Sequence, residues 1–425
     1  SNMTDTVRPP LGRRFAPTRL AKNNRQPVNI PSVYTLQALP KGPVLGWSSF
    51  LHESTPGIPS VENLRHIVFT TSGRSAIYQA LLQLRLPPGS FVMVPTYHCP
   101  TMVAPILLAG HRPAYFGIQA NGLPDVQRIA LDLAADARAM IVSHYFGLAQ
   151  SLHEVRQWCD RHDVALIEDC AHCYFGEAGE RPIGSWGDFC TASLSKFFPV
   201  PEAGLLGSAT RAISQLPLQR QGLKAQVKGW VDVLETAAKY RRLRGLNRIF
   251  SVIFSLKRKE RDADTALKQD VTNPAGEMME SCDMARIGLR PLAASTLLRN
   301  LLPRGRIIAQ RQRNFSIFAQ LLVDLQGARA LVSLPSKPVA PYVFPLWVDD
   351  ADRVYHALRD EGLPVFRWDQ IWPGTPLLAH DVGADWSRHV LQLLCHQDLD
   401  ESDIRRSAAC LIALLHVSPD TLQAK

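Results

Sequence analysis

The sequence predicts an α/β fold, with a large domain built on a mostly parallel sheet covered by helices and a smaller α+β domain at the C-terminal end. Short β-branched runs alternate with helical stretches in the first half of the chain, a pattern typical of parallel sheets. The length of 425 residues suits two or three domains, at roughly 150 residues each. With 46% hydrophobic and 20% charged residues, the composition is that of an ordinary protein with a sizeable core.

Strand and helix candidates alternate along the large domain. The apolar runs that predict strands are 91–95, 114–118, 139–144 and 164–167. The stretches with helical periodicity between them are 74–85, 100–109 and 151–162. In the C-terminal part, the pattern predicts a strand at 340–348 and helices at 306–325, 351–361 and 403–415, the last capped by Ser402.

These elements set the expected domain boundaries. Residues 3–45 are rich in Pro, Arg and Asn and predict an extended N-terminal arm. We expect the large domain at 46–265, including a basic helical segment at 211–265. Residues 266–425 are expected to form a linker helix and the small domain.

The positive charge is concentrated in one stretch. Lys and Arg number 47 against 38 Asp and Glu, which gives a net charge of +9. Residues 239–261 hold nine basic residues and one acidic residue, mixed with apolar side chains. This composition suits a membrane surface or a polyanion. We favour instead a helical excursion whose apolar side packs on the large domain, and nucleic acid is not the expected partner.

The sequence predicts a cytoplasmic protein with reduced thiols. It contains no run of 18 apolar residues and no apolar leader, and its eight cysteines are scattered.

The first candidate site motif is a Ser-Gly turn ahead of a helix, at residues 70–76. Gly73 permits close backbone approach, and Ser72 or Ser75 can cap the helix. Because the first amides of a helix lack partners and its dipole favours anions, such a turn can bind phosphate. Many ordinary helix starts look alike, so this motif alone does not identify a phosphate site.

The second motif ends the apolar run 164–167 with two carboxylates, Glu168 and Asp169, followed by His172. Ligands of open parallel sheets bind beyond the carboxyl ends of the strands, so one carboxylate is expected to face that crevice. We assign this position to Asp169 and expect Glu168 to point the other way. An acidic helix N-cap is the alternative interpretation.

The third motif is Thr191-Ala-Ser-Leu-Ser-Lys196. A lysine can form imines when burial and a nearby cation remove its proton, and the apolar run after Lys196 indicates burial. The hydroxyls of Thr191, Ser193 and Ser195 could donate to a phosphate. By itself, Lys196 could equally be a solvated surface lysine.

In this order, the three motifs resemble the DegT/StrS-type aminotransferases, the sugar-aminating branch of the fold type I pyridoxal-phosphate (PLP) enzymes. The resemblance runs from about Ser72 to Gly207 and includes the segments 86–95, 107–113 and 184–188. It implies the PLP-dependent transferase fold type I, the cofactor pyridoxal 5′-phosphate and a homodimer.

The resemblance implies a role for each matching residue. Lys196 corresponds to the lysine that forms the Schiff base, Asp169 to the partner of the pyridine nitrogen, and His172 to the residue at the ring oxygen. Of these three residues, Lys196 and Asp169 are the catalytic candidates. Gly73, Arg74 and Thr191 match the phosphate cup, and the further cofactor-binding candidates are Ser72, Ser75 and Ser193.

Two positions depart from the family pattern, one at the cofactor ring and one near the substrate. The family's aromatic position over the ring is occupied by Cys99, so we expect Tyr97 or His98 to provide the stacking surface. After Lys196, the family's usual Asn-Leu-Gly is replaced by Phe-Phe-Pro. Because this loop lies near the substrate, the difference leaves open whether the acceptor is the family's usual nucleotide-linked keto sugar. It bears less on the cofactor. The loop residues that could also face the site are His144, Arg367, Trp368 and His396.

The resemblance implies transfer of an amino group from an amino acid, which we expect to be glutamate, to a keto sugar or related carbonyl acceptor. Surface polysaccharide or secondary-metabolite biosynthesis would use such a reaction. A PLP-dependent sugar dehydratase is the nearest alternative, although the resembling dehydratases carry histidine in place of Lys196, and a non-catalytic regulator is another. Cys170-Ala-His-Cys173 could form a redox pair or half a zinc site, but no second pair follows and no metal is expected.

Overall fold

The structure is a computed structural model, and it describes residues 37–261 and 273–417. The expected N-terminal arm therefore lies mostly outside the described residues, as does the stretch 262–272 near the predicted domain boundary.

The large domain alternates strands and helices, as the sequence predicts. Its elements are β1 (His66–Thr70), α1 (Gly73–Leu84), β2 (Phe91–Pro95), α2 (Pro100–Leu108), β3 (Arg112–Phe116), α3 (Leu131–Asp136), β4 (Ala137–Ser143), α4 (His153–His162), β5 (Ala165–Cys170), β6 (Glu177–Ala178), β7 (Arg181–Pro182), β8 (Phe189–Ser193) and β9 (Gly204–Ser208). The four predicted strands correspond to β2, β3, β4 and β5.

A seven-stranded sheet in the order β1-β9-β8-β5-β4-β2-β3 forms the centre of this domain. The run from β3 to β8 is parallel, and β9 is antiparallel to both of its neighbours. Side chains alternate along each strand, so Ile167 of β5 packs in the core beneath α1 and α2, whereas Leu166 packs in the core on the opposite face. The predicted mostly parallel sheet, covered on both faces, is confirmed.

The part of the chain after β9 contains both helices and short strands. Its elements are α5 (Leu223–Lys239), α6 (Asn247–Arg261), α7 (Pro274–Ser281), α8 (Ala293–Leu301), α9 (Arg304–Leu321), β10 (Ala328–Ala330), β11 (Val343–Val348), α10 (Ala351–Asp360), β12 (Val365–Phe366), α11 (Gly383–His389), β13 (Val390–Leu394) and α12 (Glu401–Leu415). A second, antiparallel sheet runs in the order β10-β11-β13-β12, and α9 packs against α12.

The start of α12 differs from the prediction. Asp400, not Ser402, is the N-cap, and its carboxylate accepts from the Asp403 amide at 2.8 Å. The Asp403 side chain in turn accepts from the Asp400 amide at 3.0 Å. This reciprocal capping box satisfies two amides at once, so the helix begins before Ser402, and the predicted cap is wrong.

The basic segment forms two helices, α5 and α6, which pack on each other. Phe254 is buried on the inner side of α6, but Ile253 and Leu256 are exposed. The expected packing of the apolar side on the large domain is therefore met only in part. Within the described part of the chain, every helix is too short or too polar to cross a membrane.

Candidate active site

A cavity lies where β4, β5 and β8 end, beside the N-terminal end of α1. Seven of the residues predicted for the site line this cavity: Gly73, Arg74, Asp169, His172, Ser193, Ser195 and Lys196. They come from three separate segments of the sequence, the three motifs. The parallel sheet brings them together because the carboxyl ends of its strands share one edge.

The Asp169 carboxylate is held in place by three donors. Its Oδ1 accepts from the Ala171 amide at 3.0 Å and from the Thr191 hydroxyl at 3.3 Å, and its Oδ2 accepts from the Ser143 hydroxyl at 3.2 Å. Burial raises the pKa of Asp169, while these hydrogen bonds and nearby Lys196 lower it. The carboxylate is thus oriented and shielded from water, and a cation placed in the cavity would pair with it. Thr191, predicted for the phosphate cup, instead orients this carboxylate.

The Lys196 amine opens into the same cavity. Burial lowers the pKa of this amine, and the acidic neighbours Asp169 and Glu202 oppose the effect. Its Nζ lies 5.5 Å from the centroid of the Tyr342 ring. Because a lysine reacts through its unprotonated form, burial makes Lys196 more reactive than a surface lysine.

Arg311 and Gln397, which the sequence analysis missed, anchor the backbone of this lysine. Arg311 is fully buried, and its guanidinium donates to the carbonyls of Lys196 at 2.7 Å and Pro341 at 3.2 Å and to the Gln397 side chain at 2.9 Å. Gln397 in turn donates to the Phe197 carbonyl at 2.7 Å. A side chain from α9 and one from the segment before α12 therefore hold two consecutive carbonyls, those of Lys196 at the end of the third motif and of Phe197 after it.

The N-terminal end of α1 forms one wall of the cavity. Ser72 caps the helix, because its Oγ accepts from the Ser75 amide at 3.0 Å. The amides of Gly73 and Arg74 precede the first intrahelical bond and are the donors that this cap leaves open. Across from them, the hydroxyl of Ser193 lines the cavity.

The Arg74 guanidinium is engaged elsewhere. It forms an ion pair with Glu202, which also lines the cavity, and donates to the Asp283 carbonyl at 3.0 Å. Arg74 therefore offers its backbone amide to the cavity more directly than its side chain. Gly204 starts β9 beside this wall, and a Cβ there would clash with the Ser72 carbonyl, so glycine is required at this approach.

His172 contributes a flat, uncharged wall. Its ring stacks on Tyr342 with centroids 4.3 Å apart and lies 5.0 Å from Trp368. Burial lowers the pKa of His172 well below its usual range, and nearby Lys196 lowers it further. The imidazole is therefore neutral at neutral pH.

The structure does not bring Tyr97 or His98 to the cavity. Tyr97 is fully buried, with its ring 5.0 Å from that of Trp368 and 5.2 Å from that of Tyr145. The His98 ring lies within 2.8 Å of the Pro95 carbonyl and accepts from the Trp372 amide at 2.9 Å. Cys99, the following residue, lines the cavity instead.

Glu168 points away from Asp169, as expected, and holds a loop. One oxygen lies 2.9 Å from His144 Nε2 and accepts from the Gly184 amide, while the other accepts from the Trp186 and Gly187 amides at 2.9 Å. With four hydrogen bonds, this buried carboxylate has a structural role.

Two of the four loop residues that could face the site line the cavity, namely His144 and Trp368. Arg367 instead pairs with Asp352. His396 is buried with its ring 2.9 Å from the Pro40 carbonyl.

Comparisons with known proteins agree with this geometry. Residues 61–225 match the DegT/DnrJ/EryC1/StrS aminotransferase family. The chain is 28% identical over 176 residues to GDP-perosamine synthase of Vibrio cholerae, a match that covers 40% of this chain and 48% of the relative. It is 24% identical over 307 residues to L-glutamine:2-deoxy-scyllo-inosose aminotransferase of Streptoalloteichus tenebrarius, covering 66% of this chain and 71% of that enzyme. The chain thus spans about half the length of the first of these relatives.

Solved structures share the fold. DesI, determined in the presence of its TDP-sugar product, superposes with a TM-score of 0.60 at 18% identity and covers 85% of this chain and 84% of its own. NtdA of Bacillus subtilis, with bound cofactor PMP, has a TM-score of 0.55 at 17% identity over 83% of this chain and 74% of its own. The PLP-dependent transferase fold type I is therefore confirmed. Residues 61–225, which include all three motifs, are similar to the DegT/DnrJ/EryC1/StrS aminotransferase family.

Proposed function

We propose that this chain is a PLP-dependent aminotransferase that moves an amino group from an amino acid, glutamate, to a keto sugar or a related carbonyl acceptor. The observation that carries the proposal is that the Lys196 amine and the Asp169 carboxylate open into one cavity with the N-terminal end of α1. The family match and the activities named for the relatives support the same reaction class.

The residues of the cavity fit PLP. The open amides of Gly73 and Arg74 and the Ser193 hydroxyl form a donor set for a phosphate. Asp169 would supply a fixed negative charge to a protonated ring nitrogen, and neutral His172 would face the phenolic oxygen. When bound, the cofactor supplies an electron sink for the carbon that loses or gains the amino group.

Lys196 would be the nucleophile and the proton carrier. Since burial lowers the pKa of its amine, the unprotonated form is available near neutral pH more often than in a free lysine. The amine can then take a proton from a substrate carbon and return it to another atom of the site. Arg311 and Gln397 anchor the backbone from which this amine extends, and Ser143 and Thr191 keep Asp169 in one orientation.

The finer assignments rest on the family resemblance. We infer that the active unit is a homodimer and that it works in the cytoplasm. The L-glutamine and 2-deoxy-scyllo-inosose named for one relative support an amino-acid donor and a cyclic carbonyl acceptor. A nucleotide-linked sugar, as in GDP-perosamine synthase, fits the same scheme.

Lys196→Ala in the full chain tests the proposal. We expect loss of the yellow absorbance of the PLP-loaded protein and a fall in turnover of at least about 10³-fold, within the range of one general base. Lys228→Ala is the matched control, because that lysine is exposed on α5 and pairs with Asp232 at the surface. A Lys196→Ala protein that kept both the absorbance and the turnover would disprove the proposal.

A screen of substrates separates the remaining alternatives. The holoenzyme is mixed with glutamate or glutamine and a panel of keto sugars, and the products are identified by mass spectrometry. Amination of any acceptor supports an aminotransferase. Loss of water without transfer of nitrogen would instead show a dehydratase.

A further inference from the structure

Four apolar side chains of α6 face solvent. The exposed fractions are 56% for Ile249, 61% for Val252, 50% for Ile253 and 69% for Leu256. Their spacing places them on one face of the helix. Phe250 and Phe254 lie on the inner side, where Phe254 is buried and α6 packs on α5. The four exposed residues, which we call the apolar stripe, therefore form the outer side of the helix pair.

Three arginines stand beside the apolar stripe. Arg241, Arg244 and Arg248 are exposed, and together they line one open groove at the turn between α5 and α6. None of the three forms an ion pair with a residue that the structure describes. Arg248 also flanks the stripe directly, one position before Ile249. The surface thus combines exposed positive charge with exposed apolar area.

An exposed tryptophan adjoins the same turn. The indole nitrogen of Trp47 donates to the Arg244 carbonyl at 3.0 Å, although half of the Trp47 side chain remains exposed. Phe50 and Leu51, three and four residues later, are exposed as well. Tryptophan is favoured where one end of a side chain is wet and the other meets apolar material.

We propose that the apolar stripe, the three arginines and Trp47 bind the surface of an anionic lipid bilayer. A helix with basic residues on its polar side and large apolar residues on the other lies in the plane of a membrane interface. The arginines would meet the lipid phosphates while the stripe enters the acyl boundary. Within the helix, the stripe from Ile249 to Leu256 is about 10 Å long at 1.5 Å per residue, so the contact is peripheral.

The charge distribution favours a bilayer over other partners. Two copies of the chain meeting through this face would place like charges against each other, which opposes association. A nucleic acid would neutralise the arginines but leave the apolar stripe in water. An anionic bilayer supplies both a negative surface and an apolar interior, and so satisfies both parts of the surface.

Vesicle co-sedimentation of the full chain tests this proposal. We expect binding to vesicles of phosphatidylcholine mixed with phosphatidylglycerol and no binding to vesicles of phosphatidylcholine alone. Added salt should weaken the binding, because the screening length falls to about 10 Å at 0.1 M. The triple substitution Ile249→Ser, Val252→Ser and Ile253→Ser should weaken it at least about tenfold. Replacing Arg241, Arg244 and Arg248 with Gln should weaken it about fivefold for each charge removed.

Leu131→Ser and Leu377→Ser provide the matched controls, since these leucines are 81% and 86% exposed in other parts of the chain. Both variants should bind vesicles as the parent does, and all variants should keep the parent's melting temperature. Failure of the parent to bind anionic vesicles would overturn the proposal, as would equal binding by the stripe variant. If the stripe variant dissociated an oligomer in sedimentation velocity, the face would be a subunit contact and the proposal wrong. None of these outcomes depends on the proposed catalytic activity.

Discussion

The active-site cavity and the α5–α6 helix pair differ in how far their charged groups are buried and hydrogen-bonded. In the cavity, the Asp169 carboxylate is buried and accepts three hydrogen bonds, and Arg311, which holds the Lys196 backbone, donates three. On the helix pair, Arg241 and Arg244 are exposed and form no ion pair with the described residues. The charged groups of the cavity are therefore held in place by several hydrogen bonds each, whereas those of the helix pair are open to solvent. Single substitutions in the cavity should therefore lower activity or stability strongly. Substitutions on the exposed face of the helix pair should leave the fold almost unchanged.

The largest effect is expected from Asp169→Asn, which removes one charge without changing the side-chain size. We expect kcat/KM to fall by two to four orders of magnitude, corresponding to about 3–5 kcal/mol for breaking a buried ion pair. Steady-state kinetics of the PLP-loaded protein measure this, and the absorbance spectrum shows whether the cofactor remains bound.

Glu168→Gln makes the same chemical change one residue earlier and is the control. The Glu168 oxygens hold the His144 ring and the amides of Gly184, Trp186 and Gly187. This variant should lose stability, by roughly 1–3 kcal/mol for each donor left unpaired, and keep its cofactor spectrum. If both substitutions changed the spectrum equally, the separate roles assigned to Asp169 and Glu168 would be wrong.

A smaller effect is expected from Arg311→Lys, which keeps the positive charge but loses the planar fork. Lysine cannot reach the carbonyls of Lys196 and Pro341 and the Gln397 side chain together, so about 1–3 kcal/mol of stability should be lost for each unpaired group. If Arg311 positions the lysine, kcat should also fall while KM changes little at a temperature where the protein is folded.

Arg313→Lys on the same helix should change neither stability nor kcat, because Arg313 is exposed and its ion pair with Glu53 is a surface pair. A purely structural role for Arg311 would appear as lost stability with unchanged kcat in the remaining folded protein.

A change in stability that appears only at acidic pH is expected from His98. Burial lowers the pKa of His98 to about 4, against about 6.5 in an unfolded chain. Between these values the unfolded state binds the extra proton, so stability should fall as the pH drops from about 6.5 to 4, by on the order of 3 kcal/mol. Urea unfolding at several pH values measures this. His98→Asn should flatten the dependence by that amount, and an unchanged slope would show that His98 is not the titrating group.

Much of the fold and half of the cavity could be predicted from local sequence. β2 and α2 have apolar runs of the right period and length, and their observed bounds agree with the predicted ones to within a residue. Ser72 caps α1 because a hydroxyl residue before a helix satisfies an early amide. Asp169 lies at the end of β5 and Lys196 three residues after β8, and the strand ends of a parallel sheet meet at one edge.

The missed residues lie far away in the sequence. Arg311 is 115 positions from Lys196, and Gln397 is 200 positions from Phe197. Neither belongs to a motif, since an arginine within a helix or a glutamine in a loop is usually solvated. Only the packing of the C-terminal helices against the third motif makes these side chains necessary.

The expected stacking residue shows a different limit. Tyr97 and His98 are close to the cavity in sequence, but Tyr97 packs among buried aromatic rings and His98 is held by two backbone groups. A short turn after β2 can direct consecutive side chains to different places, and composition does not reveal which one faces the cavity. The structure selects Cys99.

The bond between Arg311 and the Lys196 carbonyl has a consequence for incomplete chains. All three motifs end before α5 begins, and the family match covers only residues 61–225. A protein shortened before α9 would still carry every recognisable motif, yet its reactive lysine would sit on a backbone that nothing from the C-terminal part supports. From the motifs alone, such a truncated gene product would be predicted to be an enzyme. The presence of α9 and its buried Arg311 is the better indication that the lysine is correctly supported.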